Sequence, residues 1–160
     1  MSPEIRPLAD DAEARACATI MATTDPWITL GRTFDRCLEV ARDTALERYV
    51  AVADDEVVGF VLISMRGSFT GYIKSIAVRE DWRGRGLGSA LIAFAEERIL
   101  RDSPNVFICV SSFNPGARRL YERLGFQEVG VLRELLISGQ DELLLRKTRG
   151  TWADFRERWA

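Results

Sequence analysis

One fourteen-residue stretch near the middle of the chain limits the fold more than any other: Ile76-Ala77-Val78-Arg79-Glu80-Asp81-Trp82-Arg83-Gly84-Arg85-Gly86-Leu87-Gly88-Ser89. A short apolar run leads into a polar loop, and three glycines follow at alternate positions. Leu87, Ala90, Leu91, Phe94, Ala95 and Ile99 then recur at three- and four-residue steps. The pattern predicts strand, tight loop and amphipathic helix in immediate succession. The glycines fall where the first amides of a helix lack partners inside the helix, and where its dipole adds roughly half a positive charge. Missing side chains let an anion approach the backbone, and Arg83 and Arg85 add formal charge. The segment reads as a phosphate or pyrophosphate cradle. The plainer alternative is a loop that merely needs positive φ.

Other phosphate-binding loops fail on spacing. A Walker loop needs Gly-Lys-Ser/Thr after four spacers, and the chain has none. A dinucleotide fingerprint needs Gly or Ala where Ser89 stands and an acid after the next strand, where Ser111 and Ser112 stand instead. A nicotinamide-dependent oxidoreductase therefore ranks far lower. The absence of histidine removes Ser-His-Asp and Cys-His catalysis and the usual zinc sites. No metal is expected. The net charge of −2 argues against a broad basic face for nucleic acid. Cys17, Cys37 and Cys109 are odd in number and lack CxxC spacing, which suits reduced thiols in a cytoplasmic protein. No secretion signal or membrane span is read in the chain.

Around this segment the 160 residues read as a single domain, 1–160, with 151–160 a short helical tail. Helices are predicted over 10–23 and 32–46, separated by Thr24-Asp25-Pro26-Trp27. Strands follow over 48–53, 57–65 and 72–78, joined by turns short enough for an antiparallel meander. After the glycine-led helix comes a buried strand, 106–110. Asn114-Pro115 then opens a helix that Gly125 stops. A last strand pair covers 126–137 and 142–147, and a short first strand is possible at Ile5-Arg6-Pro7. A meander followed by one βαβ crossover predicts an α/β (mixed α+β) fold: a mixed, mostly antiparallel sheet with helices on both faces. Trp152, Phe155 and Trp159 recur at helical spacing and suggest packing on the body or on a second subunit, hence a possible homodimer.

Two spaced motifs resemble the GNAT superfamily of acetyl-CoA-dependent N-acetyltransferases. The family pattern Arg/Gln-x-x-Gly-x-Gly/Ala after a strand is met by Arg83, Gly86 and Gly88. A second family segment, Asn at a helix start followed by Ala, Tyr and Gly-Phe, is met by Asn114, Ala117, Tyr121, Gly125 and Phe126. The resemblance covers about residues 48–147 and fits the N-terminal helices more loosely.

The resemblance implies an N-acetyltransferase in which a primary amine, of a small molecule or a peptide, attacks acetyl-CoA directly within a ternary complex. The backbone of Arg83, Gly84, Arg85, Gly86, Leu87, Gly88 and Ser89 would hold the coenzyme's pyrophosphate. The pantetheine would run along Ile76, Ala77 and Val78, where that strand splays from 106–110. A backbone N–H near Val78 would polarise the thioester carbonyl. Asn114 would contact the pantetheine, or serve only as a cap. Tyr121, otherwise a core aromatic, would protonate the leaving thiolate. Arg118 and Arg119 are solvated side chains, either of which could meet the outer phosphate. The proton acceptor has no assignment. Some members carry Glu where this chain has Cys109, here read as a small buried hydrophobe. The strand before the loop offers Tyr72, Lys74 and Ser75, and Glu134, Asp141 and Glu142 near the last hairpin are further candidates, with ordinary surface charge the plainer reading of each. A non-catalytic acyl-CoA-binding module of the same fold is the alternative. Trp27 and Phe34 are candidates for the substrate side.

Overall fold

The computed structural model describes residues 2–159, with side chains described up to Arg156. The chain runs β1 (Glu4–Pro7), α1 (Asp11–Ala22), α2 (Phe34–Ala41), β2 (Glu47–Ala53), β3 (Glu56–Ser64) and β4 (Tyr72–Val78). It continues through a 3-10 turn (Glu80–Trp82), α3 (Leu87–Ile99), β5 (Asn105–Ser111), α4 (Pro115–Arg123), β6 (Gln127–Ile137), β7 (Gln140–Thr148) and α5 (Trp152–Trp159). The strands form one sheet in the order β1-β2-β3-β4-β5-β7-β6. Among the described strands only β4 and β5 are parallel neighbours, the crossover through α3 returning the chain to the same end of the sheet. The mixed sheet is the one read from the sequence.

Alternation along the central strands assigns two faces. Val50, Phe60, Leu62 and Ala77 pack with Ala14, Cys17, Met21, Cys37 and Leu38 of α1 and α2. Ala51, Val61, Ile63 and Ile73 pack with Leu87, Leu91, Ala95 and Ile99 of α3 and with Tyr121 of α4. Because helices cover both faces, β3 reads as a nearly unbroken apolar run. The β2–β3 hairpin closes on Asp54 and Asp55, with φ of 51° and 62°, the left-handed pair that a two-residue turn demands.

Two boundaries differ from those read in the sequence. The second helix ends at Ala41 rather than 46. Asp43 leaves the helix and its carboxylate accepts the Ala45 N–H at 2.9 Å, a local turn that competes with another helical repeat. The last hairpin is also tighter, with β7 starting at Gln140, so that Ser138 and Gly139 alone make the turn. In α5 the rings of Trp152 and Phe155 meet edge-on at 5.7 Å, while the side chain of Trp159 lies outside those described. The larger run of exposed apolar side chains is on the edge strand β6, at Val129, Val131, Leu132, Leu135 and Leu136. Among the described residues no helix is long and apolar enough to cross a membrane.

Candidate active site

The sheet opens in its middle. Strand β4 carries one extra residue, Lys74, between the pairs Leu62↔Ser75 and Ile63↔Ile73. A bulge of this kind bends and twists its strand. At that point the pairing of β4 with β5 ends, after only Tyr72↔Phe107 and Ile73↔Ile108. Beyond it β4 stays with β3 and β5 stays with β7, so the two arms form a fork. The Arg79 N–H donates to the Val58 carbonyl at 2.8 Å. By antiparallel alternation, Val78 and Ile76 turn their own N–H and C=O groups away from β3 and into the fork. The Val78 carbonyl receives the Arg83 Nε at 3.3 Å, and the same guanidinium reaches Thr24 Oγ1 at 3.2 Å, spanning the mouth of the fork.

The glycine loop lies at the wide end. Helices α1, α2 and α4 are capped by side chains, Asp10, Thr33 and Asn114. Helix α3 instead starts on Gly86 at φ 81°, with no side-chain cap, and its first intrahelical bond runs from Ala90 N–H to the Gly86 carbonyl. The amides of Leu87, Gly88 and Ser89 precede that bond and are available to an anion. A Cβ built on Gly84 or Gly86 would meet nothing within 4 Å, so their left-handed φ, not packing, calls for glycine. These residues fit a diphosphate, since open space lies in front of uncapped amides.

Asn114 and Tyr121 face the same space. The Asn114 Oδ1 accepts the Ala117 N–H at 3.3 Å, which starts α4 beside the end of β5. Tyr121 is 8% exposed and packs edge-on against Phe126 at 6.1 Å. Burial pushes its phenol up to about 12, so it is a neutral O–H donor at neutral pH. One cavity of about 1090 Å³ joins all these parts. It is lined by Ile76, Ala77, Val78, Arg83, Gly84, Gly86, Leu87, Gly88, Ser89, Asn114 and Tyr121, and also by Trp27. Arg85 is apart from it, its guanidinium 4.5 Å over the Trp82 ring. Phe34 packs in the α1–α2 core, and Arg118 is occupied by Glu122 at 2.9 Å and Glu128 at 3.2 Å.

The α1–α2 side of the fork holds a titratable group whose plainer reading in the sequence was surface charge. Glu142 is only 5% exposed and lines the cavity. It pairs in register with Ser111, so both point to the same face as Cys109, two residues earlier on β5. Burial pushes the Glu142 carboxyl above the ordinary carboxylate range, partly offset by the Ser111 hydroxyl. That hydroxyl is itself buried without a hydrogen bond of good geometry. Cys109 is half-buried rather than a closed core residue. Desolvation raises its thiol, while the Tyr72 hydroxyl turned toward its sulfur works the other way. Tyr72 is raised in turn by its own burial. Alternation in β7 was the available signal: Glu142 is in phase with Leu144, and Leu143 and Leu145 with the opposite core. Glu134 is exposed and Asp141 half-buried, the Asp141 carboxylate accepting the Glu134 N–H at 3.0 Å. Among the described residues no cluster of side chains is arranged to hold a metal ion.

Comparison with known proteins agrees with this geometry. The family model described as "Acetyltransferase (GNAT) family" matches residues 13–126. An N-alpha-acetyltransferase of Sulfurisphaera tokodaii is 33% identical over 110 residues, 61% of this chain and 66% of that protein. A Methanocaldococcus jannaschii protein described as an uncharacterized N-acetyltransferase is 34% identical over 103 residues, 63% of this chain and 65% of that protein. The chain thus spans just under two thirds of the length of these relatives. Among solved structures, an aminoglycoside 6'-N-acetyltransferase complexed with coenzyme A superposes with a TM-score of 0.75 at 18% identity, covering 91% of this chain and 96% of that one.

Proposed function

The chain belongs to the acetyltransferase (GNAT) family; from that premise we propose that it moves the acetyl group of acetyl-CoA to a primary amine, with the α-amine of a peptide or protein as the favoured acceptor. The observation that carries the reading is the fork itself. Outward-facing backbone groups of Ile76 and Val78, uncapped amides at the start of α3, Asn114 and Tyr121 open on one cavity. Acetyl-CoA supplies an activated acyl group, and the chain's residues do the rest. The first turn of α3 binds the diphosphate. The open edge of β4 pairs with the extended arm as an added strand would, and Asn114 borders that path. The outward N–H of Val78 is a donor for the carbonyl oxygen as charge develops there.

Tyr121 sits where it can hydrogen-bond the departing sulfur. Its phenol at about 12 lies above a thiol of about 8.5, so complete proton transfer from it is uphill by roughly 5 kcal/mol. Its contribution is therefore a hydrogen bond to developing charge, the proton finally gained by sulfur being balanced by the one the nitrogen loses.

Three observations favour an α-amine. Relatives carry the name N-alpha-acetyltransferase. Removing a proton at neutral pH costs about 1 kcal/mol for an α-amine but about 4–5 kcal/mol for a lysine. Among the described residues the cavity presents five basic side chains, Arg32, Arg36 and Arg123 among them, against three acidic ones, the wrong sign for a polycation. Its rim is apolar, with Ile28 on one side and Leu135 and Leu136 of β6 on the other. The test is coenzyme A thiol release with a panel of free-N-terminus peptides, N-terminally blocked lysine peptides, spermidine and an aminoglycoside. Turnover confined to free N-termini is expected. Preference for a polycation would overturn the acceptor assignment, and acetyl-CoA binding without turnover across the panel would identify a binding module.

A further inference from the structure

Building on the acetyl-transfer reading, we propose that Glu142 is the group that takes the proton from the incoming amine. Its placement follows from strand register. The last β4–β5 pair is Ile73↔Ile108. Ser111 of β5 lies three residues beyond that pair, on the arm that has parted from β4. Glu142 is the partner of Ser111 on the outer side of β5. Its carboxylate therefore stands beside the open part of the fork, where Ile76 and Val78 expose their amides, and it lines the same cavity as Tyr121.

The chemistry of the neighbourhood points the same way. Burial and the Ser111 hydroxyl are what act on the carboxylate, and no cation is among those causes. A buried acid without a cationic partner lowers stability and has no evident role in holding β7 in place. The Ser111 hydroxyl, 3% exposed and without a well-formed partner, also faces this cavity. The other groups facing Glu142 are poorer proton acceptors. Tyr72 and Cys109 are held in their protonated forms by burial. Lys74 on β4, Arg36 on α2 and Arg123 on α4 line the same cavity without pairing with this carboxylate.

The protons balance as follows. The ammonium gives one proton to Glu142, directly or through one water, and Glu142 later releases it to solvent. The nitrogen lone pair forms the new C–N bond, the C–S bond breaks, and its electron pair leaves with sulfur. The nitrogen's second proton balances the one that sulfur gains.

The experiment compares wild type with Glu142→Gln, using acetyl-CoA and the best peptide of the panel above. Calorimetry gives the acetyl-CoA Kd, and kcat is followed from about pH 6 to about pH 9.5. The variant should bind acetyl-CoA within about twofold of wild type, and its kcat near pH 7 should fall roughly 5- to 10-fold, since about one seventh of an α-amine is neutral there unaided. That deficit should shrink as pH rises and the amine loses its proton unaided. A kcat within about threefold of wild type, or a deficit that stays constant across the range, overturns the assignment. If Glu142→Gln does not fold, Glu142→Asp carries the test. It should lower kcat yet keep the acidic limb of the profile, and loss of that limb overturns the assignment. Wild type that binds no acetyl-CoA, or turns over no amine, overturns the acetyl-transfer reading first and this one with it.

Discussion

Gly88 is the second residue of α3, and the protein's own packing does not require it to lack a side chain. A Cβ there would meet Leu120 Cδ2 at 3.7 Å and Val78 Cγ2 at 4.0 Å, both ordinary contacts. Gly88→Ala should therefore keep the fold. Replacing glycine by the best helix former should add up to about 1 kcal/mol, or roughly 2–4 °C in Tm for a chain of this size. The same methyl group, beside Leu120 and Val78, projects among the side chains that line the cavity at the start of α3. If a diphosphate docks there, losing one hydrogen bond to a charged group costs about 1.5–3 kcal/mol, roughly 10- to 150-fold in Kd. Stability and affinity should thus move in opposite directions. Calorimetric titration with acetyl-CoA, run beside thermal melts of the same samples, reads both. A variant that melts at or above wild type yet binds acetyl-CoA within about twofold of it would refute the reasoning, because the first turn of α3 would then not hold the anion.

Three further outcomes are expected. Tyr121→Phe should lower kcat by about 10- to 100-fold with little change in acetyl-CoA Kd, measured by steady-state kinetics and calorimetry, since only a hydrogen bond to developing charge is lost. Glu142→Gln should melt higher than wild type at neutral pH. The folded state raises this carboxyl, so its titration opposes folding from the unfolded value upward and does so fully once pH exceeds the folded value. The stability difference should close as the sample is acidified below the unfolded value of about 4.3, a trend read from melts across pH. Gly71→Ala should destabilise severely: at φ 91° a Cβ would lie 2.4 Å from the Asn105 carbonyl oxygen and 2.5 Å from Ile99 Cγ2, so denaturant titration should show a loss of several kcal/mol, on the order of 3.

Much of the fold was legible because it rests on local rules. The apolar stripe of α3, the Asn114-Pro115 start of α4 and the Gly125 stop each carry their own signal within a few residues. The second helix was read too long because the competing Asp43 turn depends on a side chain bonding two residues ahead, a contest that periodicity does not register. Arg85 looked like part of the cradle by its place in the loop, but the Trp82 face three residues earlier claims its guanidinium.

From the order of residues alone came the strand–glycine loop–helix unit, the element sequence, and the Asn114 and Tyr121 positions, since each depends on near neighbours and backbone preferences. Tertiary structure decided the rest: the bulge at Lys74 that parts β4 from β5, the cavity that joins the site residues, and the burial of Glu142. The reason is register. Glu142 meets Ser111 across thirty-one positions of chain, and sliding β7 by one residue would turn that carboxylate to the opposite face of the sheet. The alternation of Leu143 and Leu145 sets Glu142 on the face opposite theirs, but only the pairing of β7 with β5 brings it beside Ser111 at the fork.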